Sequence, residues 1–251
     1  PHFMPALESL QRVYRRFSEW EKLAGLFETL AELADSTVEK AQHLTRAGNV
    51  CRYEAKNIER AVAYYRNALE LDPGYANALE EFLDLLEASE EWDELASALK
   101  AAAEHQTSDA NKVSLYYRAG RVYVDRLSDP ASATGCFQIC RELAPEFLPA
   151  MVMLKQIAVA GGDTSQVYAL YKSQAETASE PAERDWWRLA ASDMARGVEG
   201  ADGQTDLAAI LAQNAAHPGA FAAQELLLLN ADNADGLLDI YRNAAALGAN
   251  S

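Results

Sequence analysis

The sequence predicts an all-α protein built as an array of helical repeats, and three observations carry that reading. Four prolines, Pro1, Pro73, Pro145 and Pro218, stand 72, 72 and 73 residues apart, each followed closely by an aromatic: Phe3, Tyr75, Phe147 and Phe221. Other residues keep this spacing: Trp20 recurs as Trp92, Gly48 as Gly120, and Asn57 to Ala61 lines up with Asp129 to Ala133. Between these markers, apolar residues recur at three- and four-residue steps, the period of a helix with one buried face. Stacked repeats build an extended surface rather than an enclosed pocket, so the expected task is to hold another macromolecule.

Each module reads as two helical hairpins. Leu7, Leu10, Tyr14 and Phe17 mark the inward face of a first helix, and Leu23, Leu26, Phe27 and Leu30 that of a second, with a break at Phe17-Ser18-Glu19. A third helix runs over about 38–53 with Leu44, Ala47, Gly48 and Cys51 on one face. A fourth, over about 58–71, turns Ala61, Tyr64, Tyr65, Ala68 and Leu69 inward, and Asp72-Pro73-Gly74 stops it because proline cannot continue the backbone hydrogen bonding. Small residues (Ala47, Gly48, Ala119, Gly120) let neighbouring helices approach, while aromatics of the facing helix fill the remaining volume. The pattern gives about seven hairpins, over 4–37, 41–73, 76–109, 113–145, 148–179, 183–217 and 220–249, within one domain covering 1–251. The sixth is the most degenerate: Trp186-Trp187, Ala191 and Ala195 are present, but its turn expands over Gly197 to Gly203. The seventh runs from Phe221 to Leu229 and then from Leu237 to Leu247.

Composition fits a helical protein with punctuation: 49% of residues are hydrophobic, ample for a core. The net charge is −16, with 10 basic against 11 acidic residues in 1–72 and 6 against 13 in 73–144. Polyanion binding requires basic clusters that release counterions, so nucleic acid and anionic membrane are excluded as expected partners. A basic or mixed-charge protein segment is the better match. Cys51, Cys136 and Cys140 make an odd count without metal spacing, since the four histidines lie far off in sequence. They read as buried reduced thiols and favour a cytoplasmic setting, with the periplasm left open. No apolar run approaches the ~20 residues of a membrane span. The start at Pro1, on a repeat boundary and without an initiator Met, reads as a fragment of a longer protein.

At this point the residues resemble the tetratricopeptide repeat family, a helix-turn-helix unit of about 34 residues. In 113–145, Tyr116, Ala119, Gly120 and Tyr123 take the family's positions in the first helix, Ala133, Phe137 and Cys140 those in the second, and Pro145 the closing proline. Leu44, Ala47, Gly48, Ala61, Tyr65, Ala68 and Pro73 match similarly over 41–73, and both units carry one extra residue in the inter-helix turn. The odd-numbered hairpins match more loosely, with Gln11, Leu83 and Lys155 at the glycine position. The resemblance implies a right-handed α-solenoid whose terminal units need polar caps or a cover. The last helix, ending in AAALGANS, is a poor cap, so the chain is expected to continue, to meet a partner or to self-associate at its C-terminal end.

In the family, the first helix of each hairpin lines a concave groove that takes extended or helical peptides. Carried over by position, the groove is lined by Glu8, Arg12 and Arg15, then Gln42, Thr45, Asn49 and Arg52, then Asn77, Glu80, Asp84 and Glu87. Ser114, Tyr117, Arg121 and Val124 follow, then Val152, Gln156 and Val159. The expected groove is basic first, acidic in the third unit, then mixed and apolar, with the basic part of a ligand at Glu80, Asp84 and Glu87. Of the residues with which the family clamps chaperone C-termini, only Asn49 and Arg118 are in place. Thr45 and Ser114 stand where lysines are required and Glu81 where an asparagine is, so chaperone-tail binding is not implied.

No nucleophile elbow, Walker loop, HExxH or Cys-x-x-Cys pair occurs, and no cofactor is implied. The glycines of 197–203 lack a lysine or strand and have Glu199 and Asp202 as neighbours, which repel phosphate. The sequence therefore predicts a non-catalytic interaction scaffold; the alternative is a structural solenoid or regulatory arm of a larger protein or complex.

Overall fold

The computed structural model describes residues 4–248, which hold fourteen α-helices and no strand. The markers Pro1 and Phe3 and the last residues of the seventh hairpin, 249–251, lie outside the described residues. The chain forms two compact units, Pro1–Ala144 and Pro145–Ser251. The first contains α1 (Met4–Arg16), α2 (Trp20–Leu33), α3 (Thr37–Asn49), α4 (Ile58–Leu71), α5 (Ala76–Ala88), α6 (Trp92–Glu104), α7 (Asp109–Asp125) and α8 (Pro130–Leu143). The second contains α9 (Leu148–Ala160), α10 (Thr164–Thr177), α11 (Pro181–Met194), α12 (Gly203–Gln213), α13 (Pro218–Asn230) and α14 (Ala234–Gly248). Within each unit the helices pair as hairpins in chain order, and the second helix of one hairpin packs on the first helix of the next.

The repeat is written into the backbone as well as the side chains. Each hairpin has one residue of positive φ in its turn: Ser18, Lys56, Glu90, Ser128, Gly162, Gly200 and Asp232. Ser18, Glu90 and Gly162 are successive 72-residue steps, and so are Lys56, Ser128 and Gly200. The left-handed residue folds the chain back, and the N–H after it caps a carbonyl of the first helix. In the odd hairpins that bond spans five residues: Glu19 to Tyr14 (2.9 Å), Glu91 to Leu86 (2.9 Å), Asp163 to Ala158 (2.8 Å) and Asn233 to Leu228 (3.0 Å). In the second and fourth it spans six, from Asn57 to Cys51 and from Asp129 to Tyr123 (both 2.9 Å), which accommodates the extra turn residue. After α3 this widening continues as a π-helical stretch, Val50–Ala55. Asn57, Asp129 and Asp163 then cap the next helix, their side chains accepting from the N–H of Arg60, Ser132 and Gln166 at 3.1, 3.1 and 2.9 Å.

The predicted inward face of the third and fourth helices is the core: Ala47, Cys51, Ala61, Tyr65 and Ala68 are wholly buried. The three cysteines are buried and free, and burial pushes their thiols above the ordinary value, Cys140 to about 12. The reading of α1 needs correction. It buries nothing: Leu10 is exposed and Phe17 is 69% exposed. Thr45, assigned outward, is buried, with its hydroxyl donating to the Ala41 carbonyl at 2.7 Å. Of the Trp186-Trp187 pair, Trp187 packs on the core of the second unit while Trp186 stays 56% exposed, its ring edge-on to Trp187 at 4.4 Å.

Candidate functional site

The odd-numbered helices of the first unit carry the residues assigned to the groove, and the structure brings them together in pairs. Arg15 of α1 and Asn49 of α3 line one cleft of about 320 Å³ with Trp20, Leu23, Val50, Tyr53 and Glu54. Asn49 is half-buried there, its Oδ1 accepting a 2.7 Å bond from the Tyr65 hydroxyl. Arg12 lies exposed on α1, its Nε directed at the Glu8 carbonyl at 3.5 Å. Asn77 is exposed at the start of α5, its Nδ2 3.5 Å from the Tyr75 hydroxyl, and lines none of these clefts.

Between α3 and α5 the charges satisfy each other. Arg52 donates to the Glu81 carbonyl at 3.0 Å and to the Glu81 carboxylate, and stands 3.9 Å from the Asp84 carboxylate. The Tyr53 hydroxyl donates to the same Glu81 carboxylate at 2.6 Å, and that bond holds the Tyr53 phenol above its ordinary pKa. The Arg52 guanidinium also lies 5.1 Å from the Tyr53 ring centroid. Glu81 is the hub of this network, although the sequence reading noted it only as standing where a chaperone clamp needs an asparagine. The signal that finds it is an arginine and a glutamate on successive first helices, 29 residues apart.

Between α5 and α7 the surface is open. A cleft of about 210 Å³ is floored by Leu79, Leu83 and Leu115 and edged by Glu80, Ser114 and Arg118. A second, of about 340 Å³, lies beside it, with Glu87, Tyr117 and Arg121 at its mouth and Trp92, Leu95 and Leu99 in its wall. Arg118 lines both. Arg121 is held by Asp125 at 2.6 Å, a bond that raises its pKa, and Arg126 stacks on the Trp92 ring at 4.6 Å. Glu80, Glu87 and Arg118 make no side-chain hydrogen bond or ion pair among the described residues. Their charges face solvent over an apolar floor.

In the second unit, the exposed face of α9 carries Val152 and Val159, one 72-residue step beyond Glu80 and Glu87. The acidic edge of the first unit has an apolar counterpart there.

Residues 6–39, which span α1, α2 and the start of α3, match the family model of the tetratricopeptide repeat. The chain carries a match to one tetratricopeptide repeat, in its first hairpin. The matched hairpin is one that departs from the family at its glycine position, where Gln11 stands. No curated protein matches this chain significantly. Among solved structures, it is similar to YrrB, described as a tetratricopeptide repeat protein with an unusual peptide-binding site, at 20% identity over 74% of this chain and 92% of that one (TM-score 0.37). It is similar also to a tetratricopeptide repeat protein of Parabacteroides merdae, at 13% identity over 97% and 93% (TM-score 0.39). PilF of Pseudomonas aeruginosa is a third, at 13% identity over 95% and 96% (TM-score 0.36). No helix among the described residues is long and apolar enough to cross a membrane.

Proposed function

We propose that this chain is a tetratricopeptide repeat protein acting as a non-catalytic scaffold that holds a mixed-charge protein segment along α5 and α7 of its first unit. The observation that carries the reading is the trio Glu80, Glu87 and Arg118, unpaired charges of both signs around an apolar floor of Leu79, Leu83 and Leu115. Basic side chains of the ligand lie against Glu80 and Glu87, an acidic one against Arg118, and its apolar side chains enter the two clefts. Asp84 contributes less than its position suggests, because it already faces Arg52. Arg12, Arg15, Asn49, Arg52, Asn77, Tyr117 and Arg121 extend the surface on either side.

Fluorescence anisotropy with short labelled peptides graded in charge tests this. Peptides of mixed charge are expected to bind the parent most tightly. Glu80→Lys with Glu87→Lys should remove the preference for basic positions, and Arg118→Ala the preference for an acidic one. Equal binding by the parent and both variants would move the site off this face. The alternative is a structural solenoid or regulatory arm within a larger assembly.

A further inference from the structure

Two of the clefts are one feature of the repeat, present twice. Arg15, Trp20, Leu23, Val50 and Glu54 line the cleft of about 320 Å³, and Glu87, Trp92, Leu95, Val122 and Arg126 line that of about 340 Å³. Each residue of the second set stands 72 positions after its counterpart in the first. The apolar members are kept. A half-buried tryptophan opens the second helix of both hairpins, a buried leucine follows one turn on, and a valine of the next hairpin completes the wall. The second copy lies among helices packed on both sides, by α4 and by α8, so the cleft belongs to the repeat.

The third copy is closed. In the second unit Thr164 holds the tryptophan position, and its hydroxyl donates to the Gly197 carbonyl at 3.4 Å. Gly197 stands 72 residues after Asp125, which lines the second cleft. A short polar side chain there bonds across the space that tryptophan walls elsewhere. Both open copies belong to the first unit.

The rims reverse in charge. The first cleft has Arg15 on α1 and Glu54 on the π-helical stretch after α3; the second has Glu87 on α5 and Arg126 just after α7. In array order the rim charges run positive, negative, negative, positive. Arg15, Glu54 and Glu87 are exposed and make no side-chain hydrogen bond or ion pair among the described residues. Arg126, also exposed, stacks on the Trp92 ring. Between the clefts, Arg52 already engages Glu81 and Asp84.

We infer that the two clefts take two large apolar side chains of one extended protein segment, which carries basic residues between these anchors and acidic residues outside them. The inference rests on the α5 and α7 reading and extends it to a second cleft. Two hairpin steps, at about 10 Å for each packed pair of helices, set the clefts roughly 20 Å apart. An extended chain spans that distance in about six residues. Joining two anchors makes the second capture intramolecular, so the whole segment binds more tightly than either half.

Fluorescence anisotropy with labelled synthetic peptides tests this. The peptides carry two tryptophans about four, six or eight residues apart, with lysines between them and glutamates outside; a control has alanine for one tryptophan. The parent is expected to bind the peptide of middle spacing at least about ten-fold more tightly than the control. Trp20→Thr and Trp92→Thr each install the residue found in the closed third copy, and each should bring that peptide down to the affinity of the control. Exchanging the lysines and glutamates of the peptide should abolish the gain. Far-ultraviolet dichroism verifies that each variant keeps its helices. Where a tryptophan exchange unfolds the chain, Arg15→Glu replaces it at the first cleft and Glu87→Lys at the second, each expected to lower the affinity of the two-anchor peptide several-fold. A two-anchor gain that is absent, independent of spacing or untouched by the change at the first cleft would overturn the inference. If binding survives Trp20→Thr but is lost with Glu80→Lys and Glu87→Lys together, the α5 and α7 reading stands and the second cleft falls. If no peptide binds the parent, both fall.

Discussion

Gly120 lies under the ring of Phe137 so closely that a Cβ there would stand 2.6 Å from the ring. One module earlier, a Cβ on Gly48 would stand 2.5 Å from the ring of Tyr65. The two helices of the second and of the fourth hairpin touch because one contributes no side chain at the point where the other contributes a large ring. Alanine at Gly120 gains about 1 kcal/mol of helix propensity. The buried, fully packed Phe137 ring must move to admit it, and overpacking of that kind costs about 1–3 kcal/mol. Gly120→Ala is expected to be net destabilising, by up to about 2 kcal/mol in urea unfolding, and Phe137→Leu in the same chain should recover part of the loss. A stability gain from the alanine would show that the ring is free to shift.

Arg52, on the π-helical stretch after α3, ties that stretch to α5 through Glu81, and both side chains are largely shielded, at 18% and 27% exposure. Arg52→Ala leaves the half-buried Glu81 carboxylate with the Tyr53 hydroxyl as its partner. A charged hydrogen bond at a partly buried site is worth about 1.5–3 kcal/mol, and exposure takes the expected loss to the lower end. Double-mutant cycles between Arg52→Ala and Glu81→Gln should give a coupling of about 1 kcal/mol. The same variants test whether Arg52 is available to a ligand: peptide affinity should change less than stability does.

The helices, their order and most of their inward faces are legible in the sequence because period and punctuation agree at each step. Asp72-Pro73-Gly74 marks a boundary and the structure ends α4 at Leu71. Burial in α1 is not legible: Leu10 and Phe17 have the spacing of core residues, but spacing does not say which apolar faces are covered. The groove is legible by position and not by state. Asn49, Arg52 and Asp84 do stand on the first helices, yet Tyr65 holds the first and the other two face each other. These pairings join residues 16 and 32 positions apart, and only the stacking of helices brings them together. The left-handed turn residues are the opposite case. Ser18, Lys56, Glu90, Ser128 and Asp232 are not the residues that announce positive φ, and the repeat period alone places four of them.

Alkaline pH should loosen the first unit. Burial, and then its hydrogen bond to Glu28, push the Tyr64 phenol from 10.0 up to about 12. The unfolded chain loses that proton near its ordinary value, while the folded chain keeps it until about 12. Between these values the unfolded state binds fewer protons, so stability is full below pH ~10 and falls as pH rises through the window. Tyr65, raised further by burial, adds to the same slope. Unfolding free energy measured against pH is expected to decline above pH ~10, and Tyr64→Phe should flatten the decline. A flat profile in the parent would contradict the burial of both phenols.

The second unit depends on one shielded ion pair. Lys172 of α10 donates to Asp206 of α12 at 2.7 Å across the hairpin boundary, and the Asp206 side chain is only 5% exposed. Burial opposes the charge on Lys172, but the bond to Asp206 and its negative charge outweigh that and raise the lysine pKa. The second Asp206 oxygen, Oδ2, has no hydrogen-bond partner among the described residues. Removing the lysine therefore strands a buried carboxylate. A fully buried pair would lose about 3–5 kcal/mol; with the lysine side chain 34% exposed, the expected loss for Lys172→Ala is about 2–3 kcal/mol. Replacing both partners with apolar residues of similar volume, Lys172→Met with Asp206→Leu, removes the stranded charge along with the pair. Such exchanges are commonly neutral or stabilising. Urea unfolding of the two variants is therefore expected to order them as parent and double variant close together, with the single variant well below. A single variant as stable as the parent would mean that water reaches Asp206 once the lysine is gone.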